Sequence, residues 1–151
     1  MGAMTAMICG TLIGLDRQVR GKPAGVRTST LICLGTYIYV WLGMAFAGPD
    51  ADPLRILGQV VTGIGFLGAG VMFNKEGGVV GVTSASVIWI LAAIGAMVGM
   101  SQYSAALMVT LLVLSVLVGV DKLEKGFMEL RQGVHSRSDL EVQKSGNKDQ
   151  N

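Results

Sequence analysis

The stretch "GIGFLGAG", Gly63–Gly70, carries the G-x-G-x-x-G spacing from its first residue. Those glycines could form a turn that cradles a pyrophosphate, or they could slim a helix so that another helix can approach its backbone. The first reading has strict requirements. The motif should follow a strand, open a helix of useful length and lie about 20 residues before an acid that holds a ribose. Here the chain reaches Asn74 and then Gly77–Gly78 soon after Gly68, and no charged residue occurs from Gly81 to Ile94, where the acid should lie. The cradle fails on its surroundings. On a helix the same letters make sense, because Gly58, Thr62, Gly65 and Ala69 fall at i, i+4, i+7 and i+11. Gly63 and Gly70 thin an adjacent face, and Gly68 belongs to the same small-residue set. Lipid offers no hydrophobic drive between helices, so close backbone approach is what rewards their association.

The rest of the composition agrees. Of 151 residues 51% are hydrophobic and 15% charged, mean hydropathy is +0.56, and there are 22 glycines and 9 methionines. A soluble chain usually has about 25% charged residues to cover its surface. No Asp, Glu, Lys or Arg occurs from residue 77 to residue 120, a run of 44 positions. Two bilayer crossings take roughly 40 residues, so the run reads as membrane-embedded. The formal net charge of +2 gives no reason to expect nucleic acid as a partner. Cys9 and Cys33 both sit in apolar runs and read as small buried hydrophobes, with no metal spacing or disulfide framework. The one histidine, His135, lies in the polar tail, which leaves little for a histidine-based catalytic or metal centre. No cofactor is expected, and no nucleophile-plus-base pair, zinc spacing or P-loop is present.

Five apolar segments can be marked: Gly2–Leu15, Thr28–Ala47, Leu54–Phe73, Val79–Val98 and Ser104–Val120. Backbone groups in lipid must be satisfied within the segment, so these are helices. The fold class is therefore all-α, a polytopic membrane bundle of about five transmembrane helices. Residues 1–120 form the membrane domain and 121–151 a cytoplasmic tail. The first segment is short. It is read as a retained helix in a thinned bilayer, or as the end of a longer one begun upstream, and it lacks the basic flank and cleavage site of a signal peptide. Arg17, Arg20, Lys22 and Arg27 around the first loop place that loop inside by the positive-inside tendency. Asp50 and Asp52 in the second loop suit the outer side. The N-terminus is then outside and the C-terminus inside. Leu123, Phe127 and Leu130 have helical spacing in the tail, and beyond about Gly133 the sequence has little to bury.

Polar residues at membrane depth need partners. Asp16 and Arg17 close the first helix, Arg27 and Thr28 open the second, Asn74 follows the third, and Thr83 with Ser84 lies one turn into the fourth. The topology gathers all of them at the cytoplasmic level, with Asp16–Arg27 as the expected ion pair. Snorkelling into headgroups is the plainer reading for Arg17 and Arg20. On the outer side, Asp52 before Pro53 fits a helix N-cap, Arg55 follows, and Gln59 lies one turn deeper. Two carboxylates on one loop are too weak a magnesium signal to count as a site. The fourth segment offers a partner stripe for the third through Gly81, Ala85, Ala92, Gly95 and Gly99, and the first holds Gly10 and Gly14 in a G-x-x-x-G. Trp89 and Trp41 read as packing or interface residues.

Three stretches together resemble the MgtC/SapB family of bacterial inner-membrane proteins. They are "GTLIGLDRQVRGKPAGVRTSTLI", "DPLRILGQVVTGIGFLGAGVMF" and "GVTSASVIWILAAIGAMVGMSQY", within about residues 10–105. The resemblance implies a five-helix, self-associating membrane domain in the bacterial inner membrane. It also implies links to growth at low magnesium, to intracellular survival, and to regulation of membrane complexes such as F-type ATP synthase. By motif match it points to Asp16, Arg17, Arg27, Thr28, Asp52, Arg55, Gln59, the glycines of 63–70 and Trp89. The virulence-type members have a soluble C-terminal domain and read G-L-N-T-A-A where this chain reads "GVTSAS" with Thr83. In both respects the chain resembles the shorter SapB-type branch.

These residues lead to a non-enzymatic membrane protein acting by helix contact with itself, a dimer favoured, and with a partner membrane complex. The rival is an ion or small-solute transporter or channel working as a dimer, supported by the Asp16–Arg27 cluster, Gln59 and the glycine-rich helices. Lipid binding is a third possibility.

Overall fold

A computed structural model of the chain describes residues 1–46, 48, 52–75, 78–120 and 123. The chain divides into two compact units, Met1–Leu114 and Ser115–Asn151. Within the described residues the first unit holds α1 (Gly2–Val19), α2 (Val26–Ala45), α3 (Pro53–Gly70), a hairpin of β1 (Phe73–Lys75) and β2 (Gly78–Val80), and α4 (Val82–Gly99). It also holds most of α5 (Tyr103–Val120). The described part of the second unit is the last turns of α5 and Leu123. The rest of the tail expected over 121–151, with its amphipathic helix, lies outside the described residues, as does Asp50.

The chain is a helical membrane protein by composition, but its helices are not equal. α2, α4 and α5, of 20, 18 and 18 residues, are each long and apolar enough to cross a membrane, whereas α3 offers the shorter apolar stretch Leu54–Gly70. α1 carries Asp16 and Arg17 within its last turn. The third and fourth apolar segments, read as helix through Phe73 and from Val79, are trimmed at their shared end by the hairpin. Phe73 pairs with Val80, Asn74 with Val79 and Lys75 with Gly78. β-Branched Val79 and Val80 favour extended backbone, and Gly81 then takes φ +90°, the left-handed turn from which α4 starts. A side chain at Gly81 would also meet the Val71 carbonyl.

α2 is the centre of the bundle. It runs antiparallel to α1, with Gly14 against Val26 and Gly10 against Thr30, and parallel to α4, with Gly95 against Cys33 and Gly99 against Val40. A Cβ on Gly14 would stand 2.6 Å from Val26 Cα, and one on Gly95 would stand 2.5 Å from the Cys33 carbonyl oxygen. Both helices therefore rest on the α2 backbone, the approach that small residues permit in lipid. Ile13, Cys33, Val40, Ile88, Leu91, Ile94 and Val98 fill the core between them. Two polar links cross it. The Cys33 thiol donates to the Leu91 carbonyl at 3.2 Å, and the Thr11 and Thr30 hydroxyls lie 3.0 Å apart. Both cysteines are buried and free.

α3 is held differently. Its Asp52 N-cap accepts from the Leu54 amide at 2.9 Å, and Pro53 occupies the first turn, as the sequence anticipates. The helix meets α2 at one end, where Ile56 covers Gly43, and meets α4 near the other, where Gly68 faces Ala85. Among the described residues Gly58, Gly63, Gly65 and Gly70 have no neighbour within 4 Å of where a Cβ would stand. The stripe Gly58–Thr62–Gly65–Ala69 is exposed and lies opposite the Val60–Ile64 edge that faces α2 and α4. The expected contact between this stripe and that of α4 is therefore not made, because Gly95 and Gly99 are already taken by α2.

Candidate functional site

Alternating helix directions bring the C-terminus of α1 and the N-termini of α2 and α4 to one end of the bundle, together with the C-terminus of α3. Gly14 on Val26, Arg17 on Ser84 and Gly68 near Ala85 mark this convergence. The polar residues expected to cluster arrive there but do not all pair with one another. Arg17 is 4% exposed, and its Nη2 donates to Ser84 Oγ at 2.7 Å, tying α1 to α4. Asp16 Oδ1 accepts from Arg20 Nε at 2.7 Å, one helical turn along α1. The expected Asp16–Arg27 pair is thus replaced by a local one. An i,i+4 acid-to-base spacing on one helix closes without ordering a second element, and Arg27 points to the exposed side of α2.

Thr28 and Thr83 are exposed, while Ser84, next to Thr83, is buried. The sequence reading favoured Thr83 as the site residue. Helical phase could have directed attention to Ser84, since it shares a face with Ile88 and Leu91 at i+4 and i+7, both buried. Asn74 lies in β1 beside this end, and its side chain is outside what the structure describes.

The polar end keeps unspent hydrogen-bonding capacity. Asp16 Oδ2 and Arg17 Nε are buried and have no partner among the described residues. Buried charges in apolar surroundings are costly unless paired and fully bonded. The open carboxylate oxygen and the open guanidinium N–H belong to consecutive residues at the end of α1. Among the described residues no group of three or more His, Cys, Asp or Glu stands ready to hold a metal ion.

The loop between α1 and α2 is fixed by its own polar contacts. Ser29 Oγ donates to the Ala24 carbonyl at 2.7 Å, and the Val26 amide donates to Gln18 Oε1 at 3.2 Å. Ala24 takes φ +61°, a cost these bonds help to offset.

At the opposite end Asp52, Arg55 and Gln59 all lie on the first turns of α3. Asp52 caps the helix, whereas Arg55 and Gln59 line a groove between α2 and α3 of about 750 Å³, bounded further in by Gly35, Gly63 and Leu67. Only one of the three expected roles is structural. A second, smaller cleft of about 270 Å³ lies between α3 and α4, where Trp89, half exposed, lines the wall beside Val61 and Met97. α3 therefore stands off the bundle on both flanks and turns its small-residue stripe outward.

A bundle of apolar helices with an ionisable cluster at one end and one loosely held glycine-rich helix defines a helical membrane protein. The comparisons place it further. The MgtC family model matches residues 4–126, and the chain belongs to that family. It is 40% identical over 114 residues to Protein MgtC of Salmonella typhimurium strain LT2, covering 76% of this chain and 48% of that protein. It is 40% identical over 123 residues to "Putative magnesium transporter YhiD" of Escherichia coli strain K12, covering 75% of this chain and 57% of that protein. Protein MgtC of Brucella abortus is 39% identical over 111 residues, 74% of this chain and 46% of its own length. The chain spans about half the length of these curated relatives. A comparison with solved structures finds no match.

Proposed function

We propose that this protein is a non-enzymatic, multi-pass protein of the bacterial inner membrane that acts by helix contact, first with a second copy of itself and then with a partner membrane complex. The supporting observation is the outward stripe on α3. Gly58 and Gly65 meet nothing among the described residues, so a face suited to close helix approach is left for another molecule. A C2 dimer through α3 would set each stripe against its copy. The link to magnesium-limited growth and to regulation of complexes such as F-type ATP synthase comes from the family and is part of this reading. So is the orientation with the N-terminus outside and the Asp16–Arg17 end in the cytoplasm.

The test is the oligomeric state of the full chain in mild detergent and in vesicles. Gly65→Leu and Ala69→Leu should each shift a dimer to monomer while leaving helix content unchanged, because a Cβ at Gly65 meets no atom among the described residues. A dimer that persists in both variants removes the proposal.

A transporter working as a dimer is the second reading, favoured by one observation. Asp16 Oδ2 and Arg17 Nε are buried polar atoms with no partner among the described residues, and ionisable groups inside a membrane bundle commonly mark ion pathways. Magnesium flux into vesicles that contain the purified protein, compared with Asp16→Asn, separates the two. Flux that depends on Asp16 carries the transport reading, and no flux above empty vesicles ends it.

A further inference from the structure

The groove between α2 and α3 has a polarity that runs along its length. At one end it is lined by Arg55, the only charged side chain on its wall among the described residues, with Gln59 and Tyr39 beside it. From there it continues over apolar walls past Gly35 and Gly63 to Leu67. The twelve steps from Arg55 to Leu67 span about 18 Å at the helical rise. One leaflet of hydrocarbon is about 15 Å deep, half of the roughly 30 Å core. The groove is thus a little longer than one leaflet, with its cation at the end of α3 nearest the membrane surface. Among the described residues no carboxylate pairs with Arg55, the ion pair there being Asp16–Arg20 at the far end of the bundle.

From this placement we infer that the α2–α3 groove holds one anionic glycerophospholipid, its phosphodiester on Arg55 and one acyl chain laid along Gly35 and Gly63. Each part of the lipid has its match. The guanidinium fork fits phosphate oxygens in a bidentate manner. Gln59, one turn deeper, and the Tyr39 hydroxyl sit at the level of the ester carbonyls and can donate to them. Beyond these the two glycines keep the floor low. Among the described residues a Cβ at either meets no atom within 4 Å, so the trough is open where a chain of methylenes would lie. Charge complementarity at one end only is what selects a lipid over a second protein chain. A transmembrane helix would need an apolar bed along its whole length and would bury Arg55 against it. On α3 Arg55 precedes Gly58 by three residues and Thr62 by seven, so the head of the groove borders the stripe proposed for self-association, and Gly35 on α2 is the position that separates the lipid site from the dimer.

The same geometry supplies the test. Replacing Gly35 or Gly63 by Phe fills the trough from a position that is sterically free, so the bundle should keep its fold. The full-length protein is purified in mild detergent, exchanged free of bound lipid, and titrated with phosphatidylglycerol or with phosphatidylcholine while native mass spectrometry counts the lipid retained. We expect one phosphatidylglycerol per protomer, with Gly35→Phe and Gly63→Phe each losing it. Arg55→Gln should lower phosphatidylglycerol retention by about tenfold, the worth of one charge-assisted hydrogen bond, and bring it level with phosphatidylcholine. Circular dichroism checks that all three variants keep their helix content. Retention unchanged by the two Phe substitutions overturns the proposal, as does displacement of the lipid by excess inorganic phosphate, which would make the site one for a free anion. If the Phe variants alter the oligomeric state and leave lipid retention as in wild type, the groove belongs to a second copy and the proposal fails.

Discussion

Substituting alanine for glycine at two positions of the bundle should produce effects of opposite sign. A Cβ at Gly14 would stand 2.6 Å from Val26 Cα and 3.0 Å from Ser29 Cβ. Carbon atoms are most favourable at about 3.5–4.0 Å, so α1 has to withdraw from α2 by roughly 1 Å. The neighbour is backbone, so no side chain can swing aside. A withdrawal of that size forfeits about a quarter to a half of each dispersion contact along the seam, and overpacking of this kind costs about 1–3 kcal/mol. Gly35 is the control on the next helix, since a Cβ there meets nothing within 4 Å among the described residues. Gly35→Ala should be neutral or stabilising by up to about 1 kcal/mol, the helix propensity gained over glycine. Thermal unfolding in one detergent, followed by circular dichroism, gives both values against wild type. The packing described for α1 and α2 is refuted if Gly14→Ala is as harmless as Gly35→Ala, or if both lose stability equally.

Two further changes probe the polar contacts. Ser84→Ala leaves the buried Arg17 Nη2 without its acceptor, so it should cost about 1–3 kcal/mol in the same unfolding experiment, whereas Thr83→Ala on the exposed neighbour should fall near zero. Asp52→Ala removes the side-chain bond to the Leu54 amide and should weaken the first turn of α3 by about 0.5–2 kcal/mol, which is measurable as faster amide exchange at Leu54 and Arg55.

Much of the chain could be read from its letters. The apolar runs gave the helices to within a few residues, because lipid admits only a self-satisfied backbone. Pro53 after Asp52 announced the α3 cap, and it forms. The gathering of Asp16, Arg17, Arg27, Thr28 and Thr83 at one end followed from alternation of helix direction alone. Pairing within that end did not follow. Arg27 opens the next helix and is the partner the sequence suggests for Asp16, yet Arg20, the C-cap one turn along α1, closes the pair at lower cost in order. The hairpin was missed because Phe73, Val79 and Val80 are as apolar as the helices they adjoin.

What the sequence determined, then, is which segments are helices, where they start and stop to within about four residues, and which residues are small enough for close approach. What the tertiary structure alone decided is which of the small faces meet. Gly10, Gly14, Gly95 and Gly99 are pressed onto α2, while Gly58 and Gly65 on α3 face away from it. The two sets are alike in composition and spacing. In water a helix declares its inner face by an apolar stripe, but in lipid the outside is as apolar as the core and the period carries no such mark. The choice among equally slender faces rests on how whole helices fit together, a property no single stretch of chain contains.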